Sequence, residues 1–191
     1  MDLDLPVEHR LLRDTIREFM LDEVAPVIDD HERERRFPVD IVRRIGELGW
    51  LGIPIPEDEG GAGLDTLAYA IAIEEIGRVW GSLGLIVAAH TSLGCGPLHL
   101  AGSQDQKDRF LVPMARGEVI GAYGLTEPGA GSDSGGTRTT ARHEDGPDGG
   151  TWVIDGAKRF ITNAGQAGTY IVTARTGTRD DGGAEISAFI V

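Results

Sequence analysis

The sequence predicts an α+β chain, all-helical over residues 1–118 and built as antiparallel sheet over residues 119–191. Two observations predict it. Up to about Met114, apolar residues recur at steps of three or four. Beyond Gly117 the pattern changes to short apolar runs rich in β-branched and aromatic residues, separated by glycine and proline. With 191 residues, 40% hydrophobic and 26% charged, the chain is long enough to bury a real core.

Val7, Leu11, Leu12, Ile16, Phe19, Met20 and Val24 form one helical stripe, with Asp4 and Pro6 at its start and Pro26 near its end. Residues 31–36 are a charge run, expected to be a solvated connection. Pro38 opens a second helix with Ile41, Val42, Ile45 and Leu48 inward and Gly49 as its stop. A third helix is expected from Asp65 to about Gly77. A fourth, over residues 82–90, is apolar on most sides and should be buried. Ser103 and Gln106 fit a capping box for a fifth helix reaching Met114. The expected strands are 120–125, 137–142, 152–154, 159–162, 169–174 and 185–191, with a polar loop over 143–150. The runs flanking Asp155-Gly156 read as a hairpin whose turn needs left-handed residues.

Several classes of function are excluded. A net charge of −13 argues against nucleic acid or an anionic membrane as partner. Cys95 is the only cysteine, so an internal disulfide or a thiolate metal site is ruled out. Within Leu93-Gly94-Cys95-Gly96-Pro97 it is expected to be a small buried residue at a helix break. No His/Asp/Glu cluster has metal spacing, and His90, on an apolar helix, is expected to be packed and hydrogen-bonded. Neither Gly-x-Gly-x-x-Gly nor a phosphate-loop Lys-Ser/Thr pattern occurs, which removes Rossmann and nucleoside-triphosphatase folds. The acidic opening segment has no secretory or transit character, and no apolar run approaches membrane-spanning length, so a cytoplasmic location without membrane insertion is expected.

The chemistry lies in the second half. In Tyr123-Gly124-Leu125-Thr126-Glu127-Pro128-Gly129-Ala130-Gly131-Ser132-Asp133 a strand-like run stops at a hydroxyl, a carboxylate and a proline, followed by small residues. Gly129 and Gly131 permit positive φ and a close ligand approach, so the loop can aim N–H groups and hydroxyls at an anion. An ordinary Gly-rich turn reads equally well from this loop alone. Further on comes Trp152-Val153-Ile154-Asp155-Gly156-Ala157-Lys158-Arg159-Phe160-Ile161-Thr162-Asn163, ending in an aromatic, an aliphatic, a hydroxyl and an amide.

Together, in this order and spacing, the two segments resemble the acyl-CoA dehydrogenase family, in which the T-E-P-x-x-G-S-D loop and the G-x-K-x-W-I-T-N strand both face FAD. The resemblance runs the length of the chain. It takes in Phe37-Pro38, Leu48-Gly49-Trp50-Leu51-Gly52-Ile53-Pro54, Pro56-Glu57 through Gly63, Gly102-Ser103-Gln104 through Lys107, and Gly117-Glu118. It implies the family's α-domain followed by an incomplete, barrel-like middle β-domain, with the C-terminal helical domain absent.

It further implies FAD-dependent α,β-dehydrogenation of an acyl-CoA thioester. Tyr123, Leu125 and Thr126 would lie at the flavin ring. Gly131 and Ser132 would lie by the FAD pyrophosphate and the pantetheine arm, Ser132 being shared with substrate. Phe160 would cover one flavin face, with Ile161 and Thr162 on the ring. Most relatives carry tryptophan at Phe160; phenylalanine keeps the π-face and loses the indole N–H. Read from the residues alone, Thr126 could equally close a turn, and Tyr123 and Phe160 could be core aromatics. Glu127 and Asp133 are expected to be loop architecture. No catalytic residue is assigned, because the α-proton base of the family comes from helices after the β-domain. The resemblance also implies electron-transferring flavoprotein as acceptor and a homo-oligomer, dimer or tetramer, in the complete protein. Other chemistries on the same scaffold are an oxidase, a monooxygenase, or a non-catalytic acyl-CoA-binding module.

Overall fold

In a computed structural model that describes residues 4–146 and 149–191, the first apolar stripe becomes α1 (Val7–Phe19). It runs on through a π-helical turn, Met20–Val24, and a 3-10 turn, Ala25–Val27, where Pro26 brings no amide hydrogen to the ladder. Ile16, Met20 and Val24 are fully buried. The charge run at 31–36, expected to be a solvated connection, is instead mostly helix: it supplies the second half of α2 (Ile28–Glu34). His31 on its inner face is buried, with Nδ1 3.2 Å from the Arg36 carbonyl and its ring 5.5 Å from that of Trp80. The Trp80 indole N–H donates to Glu32 at 2.6 Å. A local charge pattern cannot announce an aromatic partner that distant in sequence.

After Pro38, α3 (Val39–Glu47) buries Val42 and Ile45 and is followed by Gly49 at φ 77°. Leu48, expected inward, is 37% exposed at the rim of a surface groove with Phe19 and Trp50. Asp65 caps α4 (Thr66–Val79) by accepting the Ala68 N–H at 2.7 Å. Buried Glu75 on α4 takes Arg17 in two bonds of 2.8 and 2.9 Å, tying α1 to α4.

α5 (Gly81–Ala88), a π-helical stretch (Ala89–Cys95) and α6 (Gly96–Ala101) make one continuous helix. Cys95 is buried as expected, but the expected helix break is absent. Gly96 keeps helical angles, and Pro97 falls in the first turn after the wider π-helical stretch. By length and composition Gly81–Ala101 could cross a membrane, which corrects the expectation that no such run exists; 56% of its apolar window is buried within the fold. Leu85, Leu93 and Leu100 remain exposed along it. The expected capping box is present: Ser103 Oγ accepts the Gln106 N–H, and Gln106 Oε1 accepts the Ser103 N–H. It opens α7 (Gln104–Gln106), followed by a π-helical turn and α8 (Val112–Ala115).

Five strands follow: β1 (Gly121–Gly124), β2 (Thr140–Glu144), β3 (Thr151–Asp155), β4 (Thr169–Thr178) and β5 (Ala184–Ile190). Their sheet is mixed, where antiparallel pairing alone was expected. β2 and β3 pair antiparallel, as do β4 and β5, but β1 and β2 both run parallel to β4. Residues 125–168 separate β1 from β4, enough chain for the crossover that parallel pairing requires. Local alternation carries no information about strand direction. β4 is the spine, with β1 and β2 on successive parts of one edge and β5 on the other.

Residues 159–162 are not a strand, and Asp155-Gly156 is not a hairpin turn; β3 finds its antiparallel partner in β2. Phe160 at φ 55° and Asn163 at φ 70° are incompatible with a ladder. Of the expected 143–150 loop, His143 and Glu144 belong to β2. Pro147 and Asp148, like Met1, Asp2 and Leu3 of the opening segment, lie outside the described residues. One core cluster fills the helical part. A second, including Ile55, Cys95, Leu98, Leu111, Met114 and Ile171, lies between helices and sheet.

Candidate functional site

β1 carries Tyr123 out against the second core cluster, and the chain leaves the sheet at Leu125 and Thr126. Glu127 and Ala130 then exchange backbone hydrogen bonds of 2.8 and 3.3 Å, closing a tight turn with Pro128 at its first corner. Gly129 and Gly131 do not adopt positive φ, contrary to the sequence expectation. A Cβ at either position would meet nothing within 4 Å, so both face open space. Ser132 lies beyond the turn, exposed.

The second segment is fastened directly to this loop. The Arg159 N–H donates to the Thr126 carbonyl at 2.7 Å. Lys158 Nζ donates to the Leu125 carbonyl at 3.0 Å, to Glu127 Oε1 at 2.8 Å and to Thr173 Oγ1 at 3.2 Å. Glu127 also accepts the backbone N–H groups of Arg138 at 2.7 Å and Thr139 at 3.0 Å. Burial alone would raise the Glu127 pKa; the Lys158 ammonium and these N–H donors outweigh it and hold it at about 2. A carboxylate so fully committed is a poor proton acceptor. Ile161 reaches back to β1, its Cδ1 placed where a Cβ on Gly124 would touch it.

Phe160 is the unusual residue of the segment. It is 90% exposed, and its φ of 55° is a conformation that costs a bulky residue about 1–2 kcal/mol. Among the described residues, the hydroxyls of Tyr123, Thr126, Ser132 and Thr162 take no hydrogen bond. The Thr126 carbonyl serves the fold, and its hydroxyl is free. The Thr126–Arg159 bond sets the start of the 159–162 segment against the end of β1, where Ile161 also reaches Gly124. Ser132 and Gly131 stand further out on the loop and make no hydrogen bond to that segment. Gly131, Ser132 and Phe160 are exposed, and Tyr123, Leu125, Thr126, Ile161 and Thr162 are half-buried. A cavity of about 450 Å³ lies elsewhere, between Pro6, His9, Leu12 and Leu64.

Cys95 is no nucleophile. Burial pushes its thiol up to about 12. His90, 3.6 Å away, is pushed down to about 4 by burial, partly offset by its bond to Met114. Its Nδ1 accepts the Gly121 N–H at 2.9 Å, which leaves the proton on Nε2, donated to the Met114 carbonyl at 3.1 Å. Among the described residues no three potential metal ligands cluster.

Residues 6–118 match the acyl-CoA dehydrogenase N-terminal domain, and residues 122–191 match the middle domain of the same family. The chain belongs to the acyl-CoA dehydrogenase family. It is 46% identical over its whole length to the short-chain specific acyl-CoA dehydrogenase of Clostridium acetobutylicum, covering 49% of that protein. Butyryl-CoA dehydrogenase from Megasphaera elsdenii superposes with a TM-score of 0.92 at 34% identity, over 100% of this chain and 50% of that one. A Bacillus anthracis acyl-CoA dehydrogenase in complex with FAD gives a TM-score of 0.86 at 39% identity, over 98% of this chain and 32% of that one. The chain thus spans about half the length of the curated relatives it matches. Lys158 and Asn163, which fasten the two segments, had no role assigned from the sequence. The signal for Lys158 was a cation inside an apolar, strand-like run; for Asn163 it was an amide directly after three candidate residues.

Proposed function

We propose that this chain is the flavin- and CoA-contacting half of an FAD-dependent acyl-CoA dehydrogenase, which removes the α-proton of an acyl-CoA thioester and the hydrogen on its β-carbon. The observation that carries the reading is the union of two segments distant in sequence. Lys158 and the Arg159 N–H hold the carbonyls of Leu125 and Thr126, while the hydroxyls of Thr126, Ser132 and Thr162 stay unpartnered and Phe160 is exposed.

These residues fit a flat, polar-edged group. FAD, when bound, supplies the two-electron acceptor for the β-hydrogen. The chain's residues bind and orient. Phe160 offers an aromatic face, Ile161 an apolar contact, and Thr126 and Thr162 hydroxyls for the polar edge. Tyr123 and Leu125 form the floor at the end of β1. Gly131 and Ser132, on the open part of the loop, suit the pyrophosphate and the pantetheine arm, with Ser132 shared by cofactor and substrate. The FAD in the Bacillus anthracis relative supports the cofactor assignment. Glu127 is not the base: its lone pairs are spent on Lys158, Arg138 and Thr139. The base, the electron-transferring flavoprotein acceptor and the homo-oligomeric assembly belong to the complete protein in this proposal.

The test is to purify the chain, reconstitute it with FAD, and add acyl-CoA esters of several lengths with an artificial electron acceptor. A yellow protein that neither bleaches nor reduces the acceptor is expected. A chain that takes up no FAD would refute the cofactor assignment, and robust bleaching would return Glu127 or Asp133 to candidacy as base. Rapid reoxidation by oxygen of chemically reduced bound flavin would favour an oxidase or monooxygenase.

A further inference from the structure

Three elements meet at Gly121, the first residue of β1. Its N–H donates to His90 Nδ1 at 2.9 Å, and its carbonyl accepts from Asn163 Nδ2 at 3.1 Å. The same Asn163 amide donates to the Ile86 carbonyl of α5 at 3.2 Å. Two carbonyl partners fix the amide orientation, since only nitrogen can serve both. The helix and strand backbones touch here as well. A Cβ on Gly121 would lie 2.7 Å from Met114 Sδ and 3.0 Å from Gly94 Cα, so a side chain there would force them apart. Asn163 itself is 6% exposed, and it sits at φ 70°, the left-handed region that asparagine tolerates better than most residues.

We propose that Asn163 is a positioning residue for the cofactor face. Its amide cross-links the foot of β1 to the Gly81–Ala101 helix and fixes where Phe160, Ile161 and Thr162 stand relative to Thr126. His90 completes the clamp from the other side of Gly121. The segment 159–162 runs outside the sheet, so it is set from its two ends. At one end Lys158 and the Arg159 N–H hold it to the flavin loop; at the other end Asn163 holds it to the core helix. Releasing the second end lets Thr162 swing about the first without unfolding the sheet. The inference rests on the flavin reading above.

Asn163→Gly tests it, because glycine keeps the left-handed backbone and deletes only the amide. In the FAD-free chain, amide exchange at Gly121, Ala164 and Ala167, whose N–H groups bond to His90 and to the carbonyls of Ile161 and Asn163, should accelerate at least about tenfold, while α4 amides keep their protection. FAD should bind about tenfold more weakly, with a shifted visible circular dichroism band, and the apo unfolding transition should remain cooperative. Asn163→Asp is the second variant: it keeps size and backbone preference and places an oxygen against two carbonyls, so it should reproduce both effects. Unchanged exchange, or unchanged FAD affinity and spectrum, in either folded variant overturns the proposal. So does a loss of fold in both, which would make Asn163 a stability residue. A wild-type chain that takes up no FAD fails the flavin reading, and this inference with it. That outcome is recognisable because it precedes any comparison of variants.

Discussion

Replacing Lys158 by methionine keeps the length and apolar character of the stem and removes only the cation. The ammonium and the Glu127 carboxylate are 2.8 Å apart, with side chains 7% and 5% exposed. Deleting one member of such a pair leaves the other buried and uncompensated, which typically costs about 3–5 kcal/mol. Glu127 is held at about 2 against an ordinary value of 4.5, about 3 kcal/mol of stability that Lys158 shares with the N–H groups of Arg138 and Thr139. The sign follows from the direction of the shift. A lowered carboxylate pKa contributes fully above pH 4.5 and is lost as pH falls towards 2. Urea denaturation at pH 7 should therefore show Lys158→Met destabilised by about 3 kcal/mol, a fall of roughly 6–12 °C in Tm for a chain of this size. The same variant should show a shallower acid limb than wild type, because the Glu127 carboxyl without its cation is held less far below 4.5 and has less stability to lose as pH falls towards 2. Adding Glu127→Gln should recover part of the loss. A single-variant cost below about 1 kcal/mol, or an unaltered acid limb, would show that the loop and the segment are held together by something other than this pair.

Thr162→Val should weaken FAD binding about fivefold, the value of one hydrogen bond of about 1 kcal/mol, as read by fluorescence titration; unchanged affinity would leave Thr162 a structural residue. Phe160→Gly should leave apo stability within about 1 kcal/mol of wild type, since relief of a left-handed bulky residue offsets the entropy cost of glycine. It should nevertheless lower FAD affinity at least about fivefold through loss of the aromatic face, and an apo loss above about 2 kcal/mol would mean that the ring is packed. Sedimentation of the chain should show concentration-dependent association through Leu85, Leu93 and Leu100, relieved by Leu100→Glu; a clean monomer at all concentrations would count against it.

Sequence alone determined the elements whose causes are local. The helix over Val7–Val24, the helix start at Asp65, the Ser103–Gln106 box and the helix-to-strand change after Gly117 are written in neighbouring residues, and each formed, although Val7 and Leu11 of the first stripe stay exposed. The two motif segments were also legible, because their residue types are unusual side by side. Tertiary structure decided what depends on distant partners. Strand direction in β1 and β2 is set by the route of residues 125–168, and alternation reads the same either way. The 31–36 run acquired an inner face only because Trp80 stands opposite His31 and Glu32. Residues 159–162 have strand composition, yet two left-handed residues, two side-chain anchors and the Arg159 backbone N–H hold them out of the sheet with Phe160 in solvent. Lys158 and Asn163 take their roles from carbonyls and carboxylates between 31 and 77 residues away, a separation at which spacing in the chain carries no geometric information.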